Sequence, residues 1–336
     1  MSKFFKSITV FLVLLIVLGT VLTGCGPKSN LKKIRLMEVT HSLFYTPQYV
    51  ALTQGFFEEE GLEIELINGK GADKVMTSLI SGEAEIGFMG PEASIYIYNE
   101  GRDNYAVNFA QLTQRDGSFL VARKQDDDFK WEDLKGAEVL GGRKGGMPEM
   151  TLEYVIKNHG LKIPEDVNVR TDVQFDVLAG AFVAGEGDYV ALFEPVATQL
   201  EHEGKGAIVA SIGEAAGYIP YTAYCATNEY IEKNPEIIQG FTNAILKGMV
   251  WVQEHSTEEV AIAVQDQFPD VEIKVLESLV DRYKSQDSWK PDLIITEEGL
   301  NHLMDIMELA GELDKRADYE KIVTTKFAVE AMKNIE

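Results

Sequence analysis

Residues 34–66 read IRLMEVTHSLFYTPQYVALTQGFFEEEGLEIEL, and their reading decides the fold class. Ile34 to Val39 has the composition of a strand. Thr46-Pro47 then opens a helix: Thr46 suits the cap, and Pro47 suits the first turn, where its missing N–H costs nothing. That helix is expected to reach about Gly61. Leu62-Glu63-Ile64-Glu65-Leu66 alternates with period two, the mark of a strand with one wetter face. Working outward, residues 72–81 read as a helix, residues 84–89 as a short apolar strand, and Pro91 as the start of another helix. Strands alternating with helices predict an α/β fold with a mainly parallel sheet.

The scheme restarts near Trp131. Val139-Leu140 ends a strand, residues 141–146 form a glycine-rich turn, and Pro148 begins a helix reaching about His159. Residues 167–173 read as a strand, 175–184 as a helix and 189–193 as a strand. Two apolar runs, Ser118-Phe119-Leu120-Val121-Ala122 and Tyr221-Thr222-Ala223-Tyr224-Cys225-Ala226, also read as strands and lack linker composition. If both cross between two lobes they form a hinge that bends while each lobe stays rigid. The expected partition is residues 33–118 with 226–336 in one lobe, and 119–225 with the hinge strands in the other. Beyond Cys225 the chain turns helical, with Asn234-Pro235-Glu236 as a strong helix start and amphipathic segments near 257–268, 273–283, 297–310 and 326–333.

The first 24 residues carry Lys3, Lys6 and no acid, then an apolar run from Ile8 to Leu22. That run is shorter than the roughly 20 residues a membrane-spanning helix needs, so residues 1–24 read as an export signal. Leu22-Thr23-Gly24-Cys25 resembles the lipobox of bacterial lipoproteins. The resemblance implies cleavage before Cys25 and a lipid on its thiol, with residues 25–32 as a tether. The only other cysteine is Cys225, so an acylated Cys25 leaves no intramolecular disulfide. Cys225 sits among strand formers and reads as a small buried hydrophobe.

The chain has 336 residues, 45% hydrophobic and 25% charged, with a formal net charge of −23. Such acidity repels phosphate backbones, so nucleic-acid binding is excluded from the expected functions. The histidines at 41, 159, 202, 255 and 302 show no metal-ligand spacing, and neither H-E-x-x-H nor G-x-S-x-G occurs. Gly141-Gly142-Arg143-Lys144-Gly145-Gly146 fits neither the phosphate loop nor the dinucleotide fingerprint. The acidic runs at 58–60 and 126–128 read as solvated surface. No cofactor, metal or catalytic group is expected.

In an open α/β sheet, ligands sit where strand ends lead into helix starts. Four turns meet that rule: residues 41–46, 89–92, 145–149 and 193–195. They nominate Phe44, Tyr45, Met89, Gly90, Pro91, Glu92, Gly145, Gly146, Met147, Phe193 and Glu194 as ligand-binding residues, with Tyr221 from the hinge. Glycines 90, 145 and 146 allow close approach to the main chain. Glu92, Glu149 and Glu194 would offset the positive field of helix starts, which favours amino or amide donors over a bare anion. The same glutamates also read as simple helix-start preferences, and both readings stay open. Arg143 and Lys144 keep an anionic ligand in play.

Tyr45-Thr46-Pro47-Gln48-Tyr49-Val50-Ala51, then Gln54-Gly55-Phe56-Phe57-Glu58-Glu59-Glu60-Gly61-Leu62-Glu63-Ile64, resembles the opening signature of a family of solute-binding proteins. The family comprises the nitrate/sulfonate/taurine and thiamine-pyrimidine-precursor binding components of ABC importers. Residues 81–90, SGEAEIGFMG, match its second landmark, and the resemblance covers roughly residues 33–254. It implies a two-lobed type II periplasmic-binding-protein fold with mixed sheets flanked by helices. It also implies a small-molecule ligand and partnership with a permease and an ATPase. The turns at 44–45 and 90–91 map onto family ligand-contact regions. The GGMPEM stretch departs from the Ser-rich turn of sulfonate binders, and the Cys-rich motif of the eukaryotic pyrimidine synthases is missing. The expected molecule is a monomeric lipoprotein on the outer face of the cytoplasmic membrane, or in the periplasm. A thiamine-type pyrimidine or similar heterocycle is preferred as ligand, with alkanesulfonate or nitrate next. An enzyme or a sensory surface protein on the same scaffold is the alternative.

Overall fold

The computed structural model describes residues 31–335. The expected export signal at 1–24, Cys25 and most of the expected tether lie outside the described residues. Ten strands form two five-stranded sheets flanked by helices. They are β1 (Lys32–Glu38), β2 (Leu62–Asn68), β3 (Ile86–Met89), β4 (Ala106–Thr113) and β5 (Ser118–Ala122), then β6 (Glu138–Leu140), β7 (Asn168–Arg170), β8 (Tyr189–Phe193), β9 (Ala207–Ser211) and β10 (Thr222–Thr227). Sheet one runs β2-β1-β3-β10-β4 and sheet two β7-β6-β8-β5-β9.

Each sheet pairs parallel strands with one antiparallel intruder. In sheet one β1 and β3 are parallel, Leu36 opposite Ile86, while β10 runs antiparallel to β3 and β4. In sheet two β6 is parallel to β7 and β8, while β5 is antiparallel to β8 and β9. Each intruder is the strand that the chain builds just after changing sheets, which makes both sheets mixed.

The apolar runs expected to cross as hinge strands do not themselves span the halves: β5 belongs wholly to sheet two and β10 to sheet one. The chain changes sheets in the segments before them, at 114–117 and 212–221. These two crossings are bonded to each other, Ile219 N–H donating to Gln114 O at 2.9 Å and Tyr221 N–H to Thr113 O at 3.1 Å. Gly213 packs against the Asp116 carbonyl so closely that no Cβ fits between them.

Two local expectations fail for identifiable reasons. Thr46 does not cap the first helix; a short turn at Leu43–Tyr45 precedes it, and Thr46 Oγ1 instead donates to Leu43 O at 2.6 Å. The helix also stops at Thr53 rather than Gly61, because Gly55 turns left-handed at φ 77° and a separate turn, Phe56–Glu59, follows. That turn buries Phe57 against Phe241 of the long Pro235–Glu254 helix, ring centroids 5.1 Å apart. β4 and β9 had no distinct signal, since neither alternates; all eight residues of β4 are buried.

An aromatic stack joins the core of sheet one to its helices. Tyr45 meets Phe88 at 4.4 Å, Phe88 stacks on Tyr224 at 4.2 Å, and Tyr224 meets Phe241 at 5.0 Å. Each such ring contributes about 1.5–3 kcal/mol through burial alone. No helix of the described residues is long and apolar enough to cross a membrane.

Candidate functional site

The carboxyl ends of β1, β3, β6 and β8 converge on a cavity between the two sheets. From the sheet-one side come Val39 and Thr40 after β1, Tyr45, Gly71 and Ala72 after β2, and Gly90 and Glu92 after β3. From the other side come residues 141–143 and 146–149 after β6, with Phe175 and Phe193. Tyr221 and Thr222 close it at the hinge. Its water-accessible volume is about 60 Å³ and it is partly open to solvent, smaller than the ~150 Å³ of an apolar cavity that admits benzene. A wider, more polar chamber of about 300 Å³ adjoins it through Thr40, Phe175 and Phe193, and includes His41, Ser42, Lys70 and Glu194.

Of the residues nominated from sequence, Tyr45, Gly90, Glu92, Gly146, Met147, Phe193 and Tyr221 line the inner cavity. Phe44 stands one layer behind, its ring 5.7 Å from Phe193 and 5.8 Å from Tyr221. Met89 points into a small apolar cluster with Val75, Leu79 and Cys225. Pro91 caps the Glu92–Asn99 helix. Gly145 accepts from Tyr96 Oη at 3.0 Å, one of the bonds that tie the two halves.

Glu194 lines the outer chamber, and its carboxylate is occupied by the protein itself. Oε2 accepts from Thr198 N at 2.9 Å, and Oε1 accepts from Thr198 Oγ1 and pairs with Arg282. Its carbonyl accepts from Ser42 Oγ at 2.7 Å across the halves.

The two inner glutamates differ. Glu149 sits in the first turn of the Met147–Asn158 helix and reaches back past the Gly146 cap to accept from Gly145 N at 3.0 Å. Burial, with Glu153 beside it, pushes its carboxyl up to about 8. Glu92 is 2% exposed and its Oε2 has no hydrogen-bond partner. Burial pushes it up to about 7, although Arg143 and nearby amides pull the other way. A buried carboxyl with one unpartnered oxygen in the wall of a cavity is an unused acceptor position.

Residues that sequence reasoning left out include Val39, Thr40, Gly71, Phe175 and Thr222. The strand-end rule would have found the first three, since they follow β1 and β2. Phe175 carried no signal: it reaches the cavity from the short turn after β7. Among the described residues no group of three or more His, Cys, Asp or Glu is arranged to hold a metal. Cys225 is fully buried, and burial pushes its thiol up to about 12, which suits packing rather than nucleophilic work.

Residues 44–259 match the family described as NMT1/THI5 like. A Bacillus subtilis (strain 168) protein, YtlA, named as a binding protein, is 43% identical over 307 residues, 91% of this chain and 92% of its own.

The chain belongs to the NMT1/THI5-like family.

Other relatives span binding and catalysis. The formylaminopyrimidine-binding protein of Halalkalibacterium halodurans is 24% identical over 279 residues, covering 79% of this chain and 80% of its own. An Aspergillus parasiticus 4-amino-5-hydroxymethyl-2-methylpyrimidine phosphate synthase is 26% identical over 223 residues, 62% of this chain and 63% of its own. Two solved structures share the fold. The nitrate-binding protein NrtA of Synechocystis PCC 6803 aligns with a TM-score of 0.71 at 15% identity, covering 93% of this chain and 90% of that one. The aliphatic sulphonate-binding protein SsuA of Escherichia coli aligns at 0.68 and 17%, covering 89% and 99%. The NMT1/THI5-like chain therefore has the two-lobed architecture of periplasmic binding proteins.

Proposed function

We propose that this chain is an extracytoplasmic solute-binding lipoprotein that captures a small solute between its two lobes and delivers it to an ABC permease and its ATPase, without transforming it. The observation that carries this reading is the cavity between two sheets between which the chain passes at 114–117 and 212–221. A ligand held between the lobes is reached by their parting, and the crossings are where the chain can bend. The lobes follow the two sheets, residues 33–113 with 222–336 and residues 118–211, so β10 moves from the second lobe of the sequence expectation to the first. The molecule works as a monomer on the outer face of the cytoplasmic membrane, or in the periplasm, held by lipid on Cys25.

The preferred ligand is a thiamine-type pyrimidine or similar aromatic heterocycle. Tyr45, Phe193, Tyr221 and Met147 offer apolar faces, and the buried Glu92 carboxyl offers an acceptor for an amino group. Alkanesulfonate, taurine and nitrate are the second reading, supported by Arg143 in the wall and by the fold shared with SsuA and NrtA. The absence of turnover is supported by the 43% identity to YtlA, against 26% to the pyrimidine synthase.

The test is calorimetric titration of residues 26–336 with 4-amino-5-hydroxymethyl-2-methylpyrimidine, ethanesulfonate, taurine and nitrate, with native mass spectrometry of whatever co-purifies. Heat and thermal stabilisation with the pyrimidine alone support the first reading; binding of only the anions transfers the assignment to the second. Silence from every probe, with nothing co-purifying, refutes solute capture. Lipidation is read by labelled fatty acid incorporated into the full chain and lost in C25A.

A further inference from the structure

The Glu297–Ala310 helix starts at the hinge and ends on the second lobe. Its first turn lies against the second crossing, where a Cβ at Gly299 would sit 3.6 Å from Pro220 Cδ. At 1.5 Å per residue, Leu309 lies about 15 Å from that point along the axis. There the helix closes in a Schellman motif. Gly311 is left-handed at φ 77°, its N–H donates to Glu308 O at 3.0 Å, and the Glu312 N–H donates to Met307 O at 2.9 Å. Asn99 Nδ2 donates to Lys315 O at 2.6 Å, which ties this end to the first lobe.

Its other side meets the second lobe. Lys157 Nζ donates to Leu309 O at 3.0 Å, one of the last helix carbonyls, where a cation is favoured. Lys144 Nζ lies 3.0 Å from Glu312 Oε1. The Tyr154 and His302 rings meet edge to face, centroids 5.6 Å apart. From the Glu92–Asn99 helix, Tyr96 Oη donates to Gly145 O at 3.0 Å. Gly145 is held between these groups: a Cβ there would come within 2.9 Å of Glu312 Oε2 and 3.2 Å of Tyr96 Oη.

These contacts border the ligand space. Tyr96 follows Glu92 by one helical turn, so the two share a helix face: Glu92 lines the cavity and Tyr96 holds the 143–145 loop. Arg143, Gly146 and Met147, in and beside that loop, line the same cavity. A second set of contacts sits at the crossings, where Tyr283 Oη donates to Gly117 O at 2.9 Å and accepts from Glu194 N at 3.1 Å. A hinge can bend about those without breaking them, whereas the remote set must break when the lobes part. Lys144 is well exposed, and a solvated ion pair is weak by itself, which suits surfaces that separate.

We propose that the C-terminal end of the Glu297–Ala310 helix, with Glu312 and Tyr96, is a clasp that grips the 143–145 loop and the Met147–Asn158 helix and sets how far the lobes stand closed without ligand. This rests on the lobes parting, as the proposed function requires, and not on the identity of the solute. Glu149 and Glu153 lie beside Lys144 on the second lobe, the first bonded to the Gly145 amide and the second to Lys157. Lys144→Glu therefore places a carboxyl among three others and should force the clasp open.

Small-angle X-ray scattering of the ligand-free chain tests it, with thermal midpoints as a check on folding. K144E should raise the radius of gyration, Y96F should raise it less, and E312K added to K144E should bring it back by restoring opposite charges. A radius unchanged in both K144E and Y96F overturns the proposal, as does an expanded K144E that E312K fails to recover. If K144E does not fold, Y96F alone decides by the same reading.

Titration with 4-amino-5-hydroxymethyl-2-methylpyrimidine and ethanesulfonate gives the second arm. K144E should weaken whichever probe binds by about threefold to tenfold, the scale of one exposed ion pair turned repulsive, because less of the chain stands closed. E312K in the K144E background should recover most of that loss, and a loss without recovery overturns the clasp. If neither probe binds the unsubstituted chain, capture of these solutes fails and the scattering alone decides the clasp.

Discussion

Gly90 and Glu92 are so close that a methyl group at position 90 would overlap Glu92 Oε2 and come within 2.5 Å of Met147 Cγ. The hydrogen at Gly90 is thus what lets a carboxyl from one lobe and a methionine from the other share the floor of the cavity. G90A should lower the unfolding free energy by about 1–3 kcal/mol, the usual cost of overpacking. It should also weaken ligand binding, because Glu92 must swing out of the wall. Denaturant unfolding and titration with the probe that binds the unsubstituted chain check both. An unchanged midpoint would mean that Glu92 relocates freely.

Glu92 predicts a pH dependence of definite sign. Folded, its carboxyl is held at about 7 by burial; unfolded, it returns to the ordinary range near 4.5. The folded chain then holds a proton that the unfolded chain releases. This contribution is fully present below about 4.5 and is lost as pH rises through 7. Glu92→Gln removes the titration. Its stability relative to the unsubstituted chain should therefore grow between about pH 5 and pH 8, by on the order of 3 kcal/mol. A parallel pair of stability–pH curves would refute the assignment.

Glu194 and Arg282 should separate stability from binding. Both carboxylate oxygens of Glu194 are committed to Thr198 and Arg282. Removing the cation in R282M leaves a buried charge with only Thr198 to answer it. The loss should be about 3 kcal/mol, at the low end for buried pairs since Arg282 is partly solvated. E194Q should lower the thermal midpoint yet leave the Kd of a bound probe within about threefold. A tenfold loss of affinity in E194Q would instead put this carboxylate among the ligand contacts.

His41 joins the cleft loop to the C-terminal helices. Its Nδ1 lies 2.8 Å from Glu38 Oε1 and its Nε2 lies 2.9 Å from the Gln267 carbonyl. With the Glu38 carboxylate at Nδ1 and a carbonyl at Nε2, the charged ring donates to both. Burial works against that charge, but the bonds to Glu38 and Gln267 outweigh it and hold the ring above its usual value. The stabilisation is fully present below about 6.5 and fades as pH rises through the folded value. Nitrogen-15 NMR across a pH titration should place the His41 midpoint above the ordinary 6.5, with both ring nitrogens protonated below it. A midpoint at or below 6.5 would contradict the assignment.

Much of the architecture was legible because burial periodicity is local. The strand at 62–66, the short strand ending at Met89, the helices opened by Pro148 and Pro235 and the strand at 189–193 all follow from patterns within about a dozen residues. The hinge was half legible. The apolar runs at 118–122 and 221–226 were visible as strands, but where the chain changes sheets depends on which neighbours each strand pairs with. Those neighbours lie more than a hundred residues away: β10 pairs with β4 (Thr222 opposite Thr113) and with β3 (Ala223 opposite Met89).

The sequence by itself determined the class of fold, the strong acidity of the chain, and the turns from which a site could be built, because these depend on composition and short spacing. Only the tertiary structure decided which carboxyl faces the cavity. Glu92, Glu149 and Glu194 look alike in sequence, each beside a proline at a strand end. Glu149 is turned to an amide of its own loop, Glu194 to an arginine 88 residues further on, and Glu92 Oε2 to nothing. A carboxylate's role is set by the donors within about 3 Å of it, and those donors come from whichever distant segments folding brings there.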